Sequence, residues 1–244
     1  LIFKAFLGEP VGAFITRMRV ETAARLLRYS DMPVQEIAYK VGYDVPSSLS
    51  KVFKQFYDIT PIEYKNNKKY TIMKPLKINP DLELKERVVN LEPMQAIYVC
   101  LFGDYKGNDY CLAWQKLWQY IRTSGKFSVE MKKACGTAPK SDVIKQMLSE
   151  CKIAHVGIYH NDPKLTETSK QQADVCLTLP FKMEPQGEIG AKEIAGGRYA
   201  AFLYQGTYEK LGEVYDTIFG KYIPDGGYQL DERPVFEMYL NDPE

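Results

Sequence analysis

Residues 33–65 read PVQEIAYKVGYDVPSSLSKVFKQFYDITPIEYK, and this stretch decides the fold of the N-terminal part of the chain. Between Pro33 and Val41, apolar side chains recur at the spacing i, i+3, i+4 and i+7, which predicts a short helix with proline in its first turn. Gly42 then permits a tight turn, and a second helix is expected from Val45 to Phe56. A helix, a glycine-containing turn and a second helix make up the helix-turn-helix motif, whose second helix enters the major groove of DNA.

The second helix of this motif has two chemically different faces. Helical spacing predicts that its apolar residues point inward: Leu49, Val52, Phe53 and Phe56. The polar residues on the outer face are the candidate contacts to bases or phosphates: Ser47, Ser50, Lys51 and Lys54. An ordinary solvated helix surface is the alternative interpretation for each of them.

An internal repeat extends the helical region toward the start of the chain. A helix of about four turns is expected from Val11 to Leu27. At an offset of 50 residues, three aromatic residues match three others: Phe3, Phe6 and Phe14 match Phe53, Phe56 and Tyr64. The repeat places residue 1 inside a counterpart of the second helix, so we expect the given sequence to lack the beginning of a first helix-turn-helix unit.

In residues and spacing, the quoted stretch resembles the signature of AraC/XylS-type regulators over about the first 66 residues. The positions that fall in register are Glu36, Ile37, Ala38, Gly42, Ser50, Phe53, Lys54, Thr60, Pro61 and Tyr64. The resemblance implies two helix-turn-helix units, joined by a long helix around Phe14–Leu27, that read adjacent segments of double-stranded promoter or operator DNA. Pro46 departs from the pattern, because proline has no side-chain donor with which to read a base.

Composition indicates a globular protein. With 244 residues, 45% of them hydrophobic, the chain can bury the core of one large domain or two ordinary ones. It has no apolar stretch of the roughly 20 residues needed to cross a bilayer, and its start does not read as a signal peptide, so a cytoplasmic location is expected. Five cysteines without a CxxC pair and only two histidines signal neither disulfides nor a zinc site, and no metal or cofactor is expected.

Charge divides the chain into two parts. Residues 1–70 carry 11 Lys and Arg against 7 Asp and Glu, a net +4, so the remaining residues carry 21 against 24, a net −3. The basic part permits phosphate binding, although a solvated basic face gives the same count.

The pattern changes from helices to strands after a polar, proline-containing linker at residues 70–87. MQAIYVCLFGDY (94–105) and GRYAAFLYQGTY (197–208) align without gaps, each followed by an amphipathic helix, and VGIYHNDP (156–163) returns as FEMYLNDP (236–243). A strand–helix–strand unit used twice predicts two halves related by a pseudo-twofold axis, with antiparallel sheets lining a shared concavity. The first copy has one more strand, Asp174–Phe181, whose counterpart we expect beyond residue 244.

This half resembles the GyrI-like effector-binding domains that occur attached to AraC-type DNA-binding regions. The resemblance rests on IYHNDP, GGRYAAFLYQGTYEKLGEVYDTIF and PVFEMYLNDPE, and it is weaker from Lys126 to Lys152. It implies a pocket for lipophilic cations, in which a strand glutamate, matched here by Glu237, faces the ligand among aromatic rings. Some relatives are instead hydrolases of small electrophiles that use a similar glutamate and a tyrosine.

Glu237 is the one ionisable residue in the apolar run VFEMYL, and strand alternation places it on the same face as Tyr239. A carboxylate buried there needs a cation, a proton or hydrogen-bond donors. Its counterpart in the repeat is Gly157, which leaves space beside it. The predicted ligand-binding residues are Glu237, Tyr239, Tyr159, Trp114, Trp118, Tyr199 and Phe202. Core packing is the competing interpretation for the aromatic residues, as an exposed or internally bonded carboxylate is for the glutamate.

The predicted architecture is multidomain: an all-α helix-turn-helix region at residues 1–69, a linker at 70–87 and an α+β effector-binding domain at 88–244. The predicted protein is a non-enzymatic transcription regulator, an activator or a repressor. Its expected partners are double-stranded DNA and a small amphipathic or cationic effector, with RNA polymerase as a further candidate and no membrane. The alternatives are a hydrolase that uses Glu237 and a tyrosine, against which the attached helix-turn-helix argues, and a protein-interaction module.

Overall fold

A computed structural model describes residues 8–66, 76–125, 127, 129, 153–231 and 233–240. Its first part is helical, with helices α1 (Val11–Tyr29), α2 (Val34–Lys40), α3 (Pro46–Tyr57) and α4 (Pro61–Asn66). The later part is α+β, as predicted from the change in periodicity. The repeat residues Phe3 and Phe6, most of the segment from Lys126 to Lys152 and residues 241–243 lie outside the described residues.

The later part alternates strands with two longer helical segments. Its elements are β1 (Lys85–Leu91), β2 (Met94–Phe102), α5 (Tyr110–Thr123), β3 (His155–Tyr159), β4 (Gln172–Leu179), β5 (Ile189–Ile194), β6 (Gly197–Leu203), α6 (Leu211–Thr217) and β7 (Val235–Tyr239). After α6 the chain continues through a π-helical turn, Ile218–Tyr222, into a last short turn at Ile223–Asp225.

The inward face of α3 follows one ridge of the helix. Leu49 and Phe53 are fully buried, and Tyr57, four residues further on, packs against the same core. Phe56 was expected to point inward, and this expectation is wrong: the side chain is 46% exposed. Phe56, at i+7, lies only about 20° from Leu49 around the helix axis, so its exposure depends on what packs against the last turn. There the core contacts Tyr57, which continues the i, i+4, i+8 ridge of Leu49 and Phe53.

Contacts divide the chain into two compact units. The first consists of Leu1–Leu84, Asn161–Lys170 and Tyr204–Arg233. The helical core of α1–α4 lies in this unit and is extended by Leu165. Two segments of the predicted interval 88–244 therefore pack with the helical region, whereas the domain boundaries drawn from the sequence stay a prediction.

A buried carboxylate joins α1 to the segment Asn161–Lys170 within this first unit. Glu21, which is 9% exposed, accepts hydrogen bonds from Asn161 Nδ2 at 3.2 Å and from Thr166 Oγ1 at 2.7 Å. Its other partner is Arg17, whose Nη1 lies 3.3 Å from both carboxylate oxygens and which also pairs with Glu9. Three donors thus compensate the loss of hydration of this carboxylate.

The second unit consists of Lys85–His160, Gln171–Leu203 and Pro234–Glu244 and contains both sheets. One sheet has five strands in the order β5-β2-β4-β3-β7, the other pairs β1 with β6, and every pairing is antiparallel. The repeat is visible in the pairing, because β3 and β7 pair with Gly157 opposite Glu237, the two residues that correspond at the offset of 80. The shared concavity expected from the repeat stays a prediction.

The two faces of the five-stranded sheet differ in what covers them. One face packs against α5 and carries a core that includes Val99, Leu117 and Leu177. On the other face, the carboxylate of Asp174 is 1% exposed, lies 2.5 Å from His160 Nε2 and pairs with Lys192. Burial opposes ionisation of Asp174, but the hydrogen bonds and charges of these two neighbours lower its pKa below the usual value.

No helix in the described part of the chain has the length and hydropathy required to span a bilayer.

Candidate effector site and DNA-contacting helix

The centre of the candidate effector site is a carboxylate held by two tyrosine hydroxyls. Glu237 on β7 accepts a hydrogen bond at Oε2 from the hydroxyl of Tyr239 at 2.8 Å, and the hydroxyl of Tyr159 on β3 lies 3.2 Å from the same oxygen. The two hydroxyls are 2.9 Å apart. All three side chains are partly buried on one face of the sheet, because alternate residues of neighbouring strands share a face.

Gly157 makes this arrangement possible. It pairs directly with Glu237, and a Cβ atom at this position would lie 2.9 Å from the Tyr239 hydroxyl and 3.2 Å from that of Tyr159. The space expected beside the glutamate therefore exists, but the two tyrosine hydroxyls fill it. Any larger residue would push them away from the carboxylate.

Tyr159 lies in the most aromatic part of the site. Its pKa is raised far above the usual value, chiefly by burial and also by the negative charge of Glu237, so its hydroxyl remains protonated. The ring of Tyr105 meets that of Tyr159 edge to face, with centroids 5.1 Å apart, and Tyr110 also lies close by. Tyr105 was not among the predicted site residues, although it ends the repeated Gly-x-Tyr pattern of the first copy.

The two predicted tryptophans of α5 pack on the sheet at the edge of the site. Trp114 is 5% exposed in the main core, and its ring centroid lies 4.8 Å from that of His155 and 6.2 Å from that of Tyr239. Trp118 donates from Nε1 to His155 Nε2 at 3.2 Å. His155, which sequence reasoning did not select, therefore links both indoles to the strand that carries Tyr159.

The structure does not bring the predicted residues of β6 together with the glutamate in any described contact. Tyr199 donates to the carbonyl oxygen of Ala195 at 2.6 Å, and its ring contacts Phe236 at 5.2 Å between centroids. Phe236 lies on the face of β7 opposite Glu237. Phe202 is three residues from Tyr199 on one strand, so the two aromatic side chains point to opposite faces of β6 and cannot both line one surface.

The candidate DNA contacts lie on the outer face of α3. Ser47, Lys51 and Lys54 are exposed, and their spacing of four and three residues places them on one stripe of the helix. Ser50 is half-buried, and its hydroxyl bonds to the carbonyl oxygen of Pro46 in its own helix at 3.2 Å. The stripe therefore presents two lysines and the exposed Ser47 to solvent. The Ser50 hydroxyl already donates to a backbone carbonyl oxygen of its own helix.

Chemically, the cluster around Glu237 combines an anion with the faces and edges of several aromatic rings. Such a combination attracts organic cations through the carboxylate charge and through cation–π contact. Among the described residues, no group of His, Cys, Asp and Glu side chains is placed to hold a metal ion.

Comparison with known proteins agrees with both parts of the chain. Residues 85–244 match the family model of the GyrI-like small molecule binding domain, and residues 1–67 match that of a helix-turn-helix domain. An uncharacterized HTH-type transcriptional regulator of Haemophilus influenzae is 38% identical over 66 residues, which are 27% of this chain and 22% of that protein. A DNA gyrase inhibitor of Erwinia billingiae is 30% identical over 90 residues, 36% of this chain and 58% of that protein. The crystal structure of the EcmrR C-terminal domain superposes with a TM-score of 0.44 at 15% identity, covering 66% of this chain and 87% of that one. The chain thus spans only part of the length of the two curated relatives.

Proposed function

The chain belongs to the family of GyrI-like small-molecule-binding domains and carries a helix-turn-helix region, and from this we propose that it is a DNA-binding transcription regulator that responds to a small amphipathic or cationic effector. The proposed effector site is the cluster of Glu237, Tyr159 and Tyr239, bordered by Tyr105 and Trp114. The proposed DNA contacts are Ser47, Ser50, Lys51 and Lys54, with RNA polymerase as a candidate partner at the promoter.

The observation that carries the effector proposal is the partly buried carboxylate with two tyrosine hydroxyls on one oxygen. A carboxylate in an aromatic surrounding loses hydration, and the hydroxyls return only part of it. An organic cation compensates the remaining charge and also contacts the rings, each such contact contributing about 0.5–2 kcal/mol.

Direct titration tests this proposal. Both tryptophans of the chain belong to the unit that contains the site, so tryptophan fluorescence reports on binding there. We expect amphipathic aromatic cations to bind saturably and without being consumed, and Glu237→Gln to weaken them about tenfold or more, roughly 1.4 kcal/mol, while sparing neutral analogues. Equal losses for cations and neutral compounds would reject the carboxylate as the anchor.

The DNA-binding part has a separate test. Lys51→Ala and Lys54→Ala should each lessen the slope of log affinity against log salt by about 0.9 for a short mixed-sequence duplex, because each removes one phosphate contact. Lys182→Ala, an exposed lysine of the other unit, is the matched control and should leave the slope unchanged. Unchanged slopes for both α3 variants would reject the proposed interface.

Hydrolysis of a small electrophile is the second candidate function, favoured by the contact between the Glu237 carboxylate and the hydroxyls of Tyr159 and Tyr239. A carboxylate beside a hydroxyl can accept a proton from water during attack on an ester or epoxide. Incubation with a panel of such compounds and analysis for product decides between the two: turnover that is lost in Glu237→Gln supports the enzyme. Binding of a macromolecule without response to any small molecule would instead support a protein-interaction module.

A further inference from the structure

We propose that the ligand anchored at Glu237 belongs to one chemical class, ammonium ions that carry at least one N–H donor, and that quaternary ammonium ions bind more weakly. This inference rests on the proposed effector function and specifies the ligand of that same site. It follows from the unequal surroundings of the two carboxylate oxygens.

The described residues provide hydrogen bonds to Oε2 of Glu237 and not to Oε1. Oε2 lies within 3.2 Å of both tyrosine hydroxyls, whereas Oε1 accepts no hydrogen bond in the part of the chain that the structure describes. The two hydroxyls also lie 2.9 Å from each other, so they form a triangle with Oε2. Neither hydroxyl has a described hydrogen bond to Oε1.

The tyrosines keep these roles when a cation arrives. Burial and the charge of Glu237 raise the pKa of Tyr159, so its hydroxyl stays a neutral donor wherever an alkylammonium is protonated. Gly157 leaves the space that lets both hydroxyls reach Oε2, since a Cβ there would lie within 3.2 Å of each. The preference for Oε2 is therefore built into the pairing of β3 with β7.

Oε1 is consequently the oxygen that a ligand must satisfy. An ammonium N–H directed at Oε1 forms a charge-assisted hydrogen bond, the stronger kind in proteins. A permethylated nitrogen carries the same charge and meets the same rings, but it displaces water from Oε1 without replacing the lost donor. Attraction to the aromatic rings is common to both ligands, so the comparison removes it, and loss of the remaining difference in Glu237→Gln assigns that difference to the carboxylate.

A matched pair of cations tests the proposal on the intact chain. N,N-Dimethylbenzylammonium has one N–H, benzyltrimethylammonium has none, and benzyl alcohol serves as a neutral control; each is titrated by calorimetry near neutral pH. We expect the N–H-bearing cation to bind at least about fivefold more tightly than its permethylated analogue. In Glu237→Gln the two affinities should fall to within twofold of each other. Glu193→Gln removes a charge from an exposed residue of β5 and should keep the wild-type ratio.

The possible failures separate cleanly. If both cations bind with equal affinity and both weaken in Glu237→Gln, the carboxylate anchor stands and the N–H preference is wrong. If neither cation binds, the proposed effector function is wrong and the ligand class falls with it. The wild-type comparison requires no variant, so a Glu237→Gln protein that fails to fold does not remove the test.

Discussion

The contact between α1 and the segment Asn161–Lys170 allows a quantitative prediction about stability. Glu21 and Thr166 are 9% and 4% exposed, and the threonine hydroxyl donates to Oε2 of the glutamate at 2.7 Å. We expect Thr166→Val, which keeps the shape of the side chain but removes the donor, to lower the free energy of unfolding by about 1.5–3 kcal/mol, the range for hydrogen bonds to charged groups.

Glu21→Ala should cost more, about 3–5 kcal/mol, because it also removes the acceptor of Asn161 and one carboxylate partner of Arg17. The two changes share one hydrogen bond, so their costs should not add. We expect the double variant to be more stable than the sum of the single costs predicts, by about 1–2 kcal/mol.

The assay is urea unfolding followed in two ways. Circular dichroism at 222 nm follows the helices, most of whose described residues lie in the first unit, whereas tryptophan fluorescence follows the second unit, which contains Trp114 and Trp118. The variants should shift the first transition more than the second. Glu36→Ala, an exposed glutamate on α2, is the matched control and should change stability by no more than about 0.5 kcal/mol. Costs that add to within about 0.5 kcal/mol would refute the proposed sharing of this hydrogen bond.

Three further predictions concern other parts of the molecule. Gly157→Ala should weaken cation binding at least threefold with little loss of thermal stability, because its Cβ would lie 2.9 Å from the Tyr239 hydroxyl. Calorimetry measures the affinity, and an unchanged affinity for the cation contradicts the proposed packing. Because the pKa of Asp174 is lowered in the folded state, its ionised form stabilises the fold above about pH 4, and the stability difference between wild type and Asp174→Asn should shrink as the pH falls below that value. In urea unfolding, Phe53→Ala should cost about 3–5 kcal/mol and Phe56→Ala about 1 kcal/mol or less, since only the first ring is fully buried; equal costs would contradict the assignment of faces on α3.

Sequence periodicity was sufficient for the helical region, because helices depend on contacts between near neighbours in the chain. It did not predict two strands of the second part, Lys85–Leu91 and Ile189–Ile194. It placed Leu49 and Phe53 in the core, where they lie. It failed at Phe56 because position i+7 lies only about 20° from position i around a helix, so the pattern assigns it to the inner face. Which residue of the last turn meets the core depends on tertiary packing, and that residue is Tyr57.

The candidate site was only partly accessible to sequence reasoning. The repeat identified Glu237 and its counterpart Gly157, since an offset between two copies can be read directly from the letters. The approach of Tyr105 to Tyr159, and of Trp118 to His155, depends on how a loop and a helix pack on the sheet, for which the sequence has no periodic signal. Tyr199 was assigned to the site as an aromatic residue of a repeated strand; its ring contacts Phe236, and its role at the site stays a prediction.

The asymmetry of the repeat explains why the proposed site has a single carboxylate at this pair of positions. Gly157 and Glu237 stand opposite each other where β3 and β7 pair, and residues so placed have Cα atoms about 4.5–5.5 Å apart. Glutamate at both positions would bring two carboxylates together, and their repulsion would favour one shared proton over two negative charges. Glycine in one copy removes that conflict and at the same time provides the space that both tyrosine hydroxyls occupy. Among the described residues the duplicated fold therefore yields one carboxylate with hydrogen bonds to Oε2, and in the proposed site Oε1 is the oxygen available to a ligand.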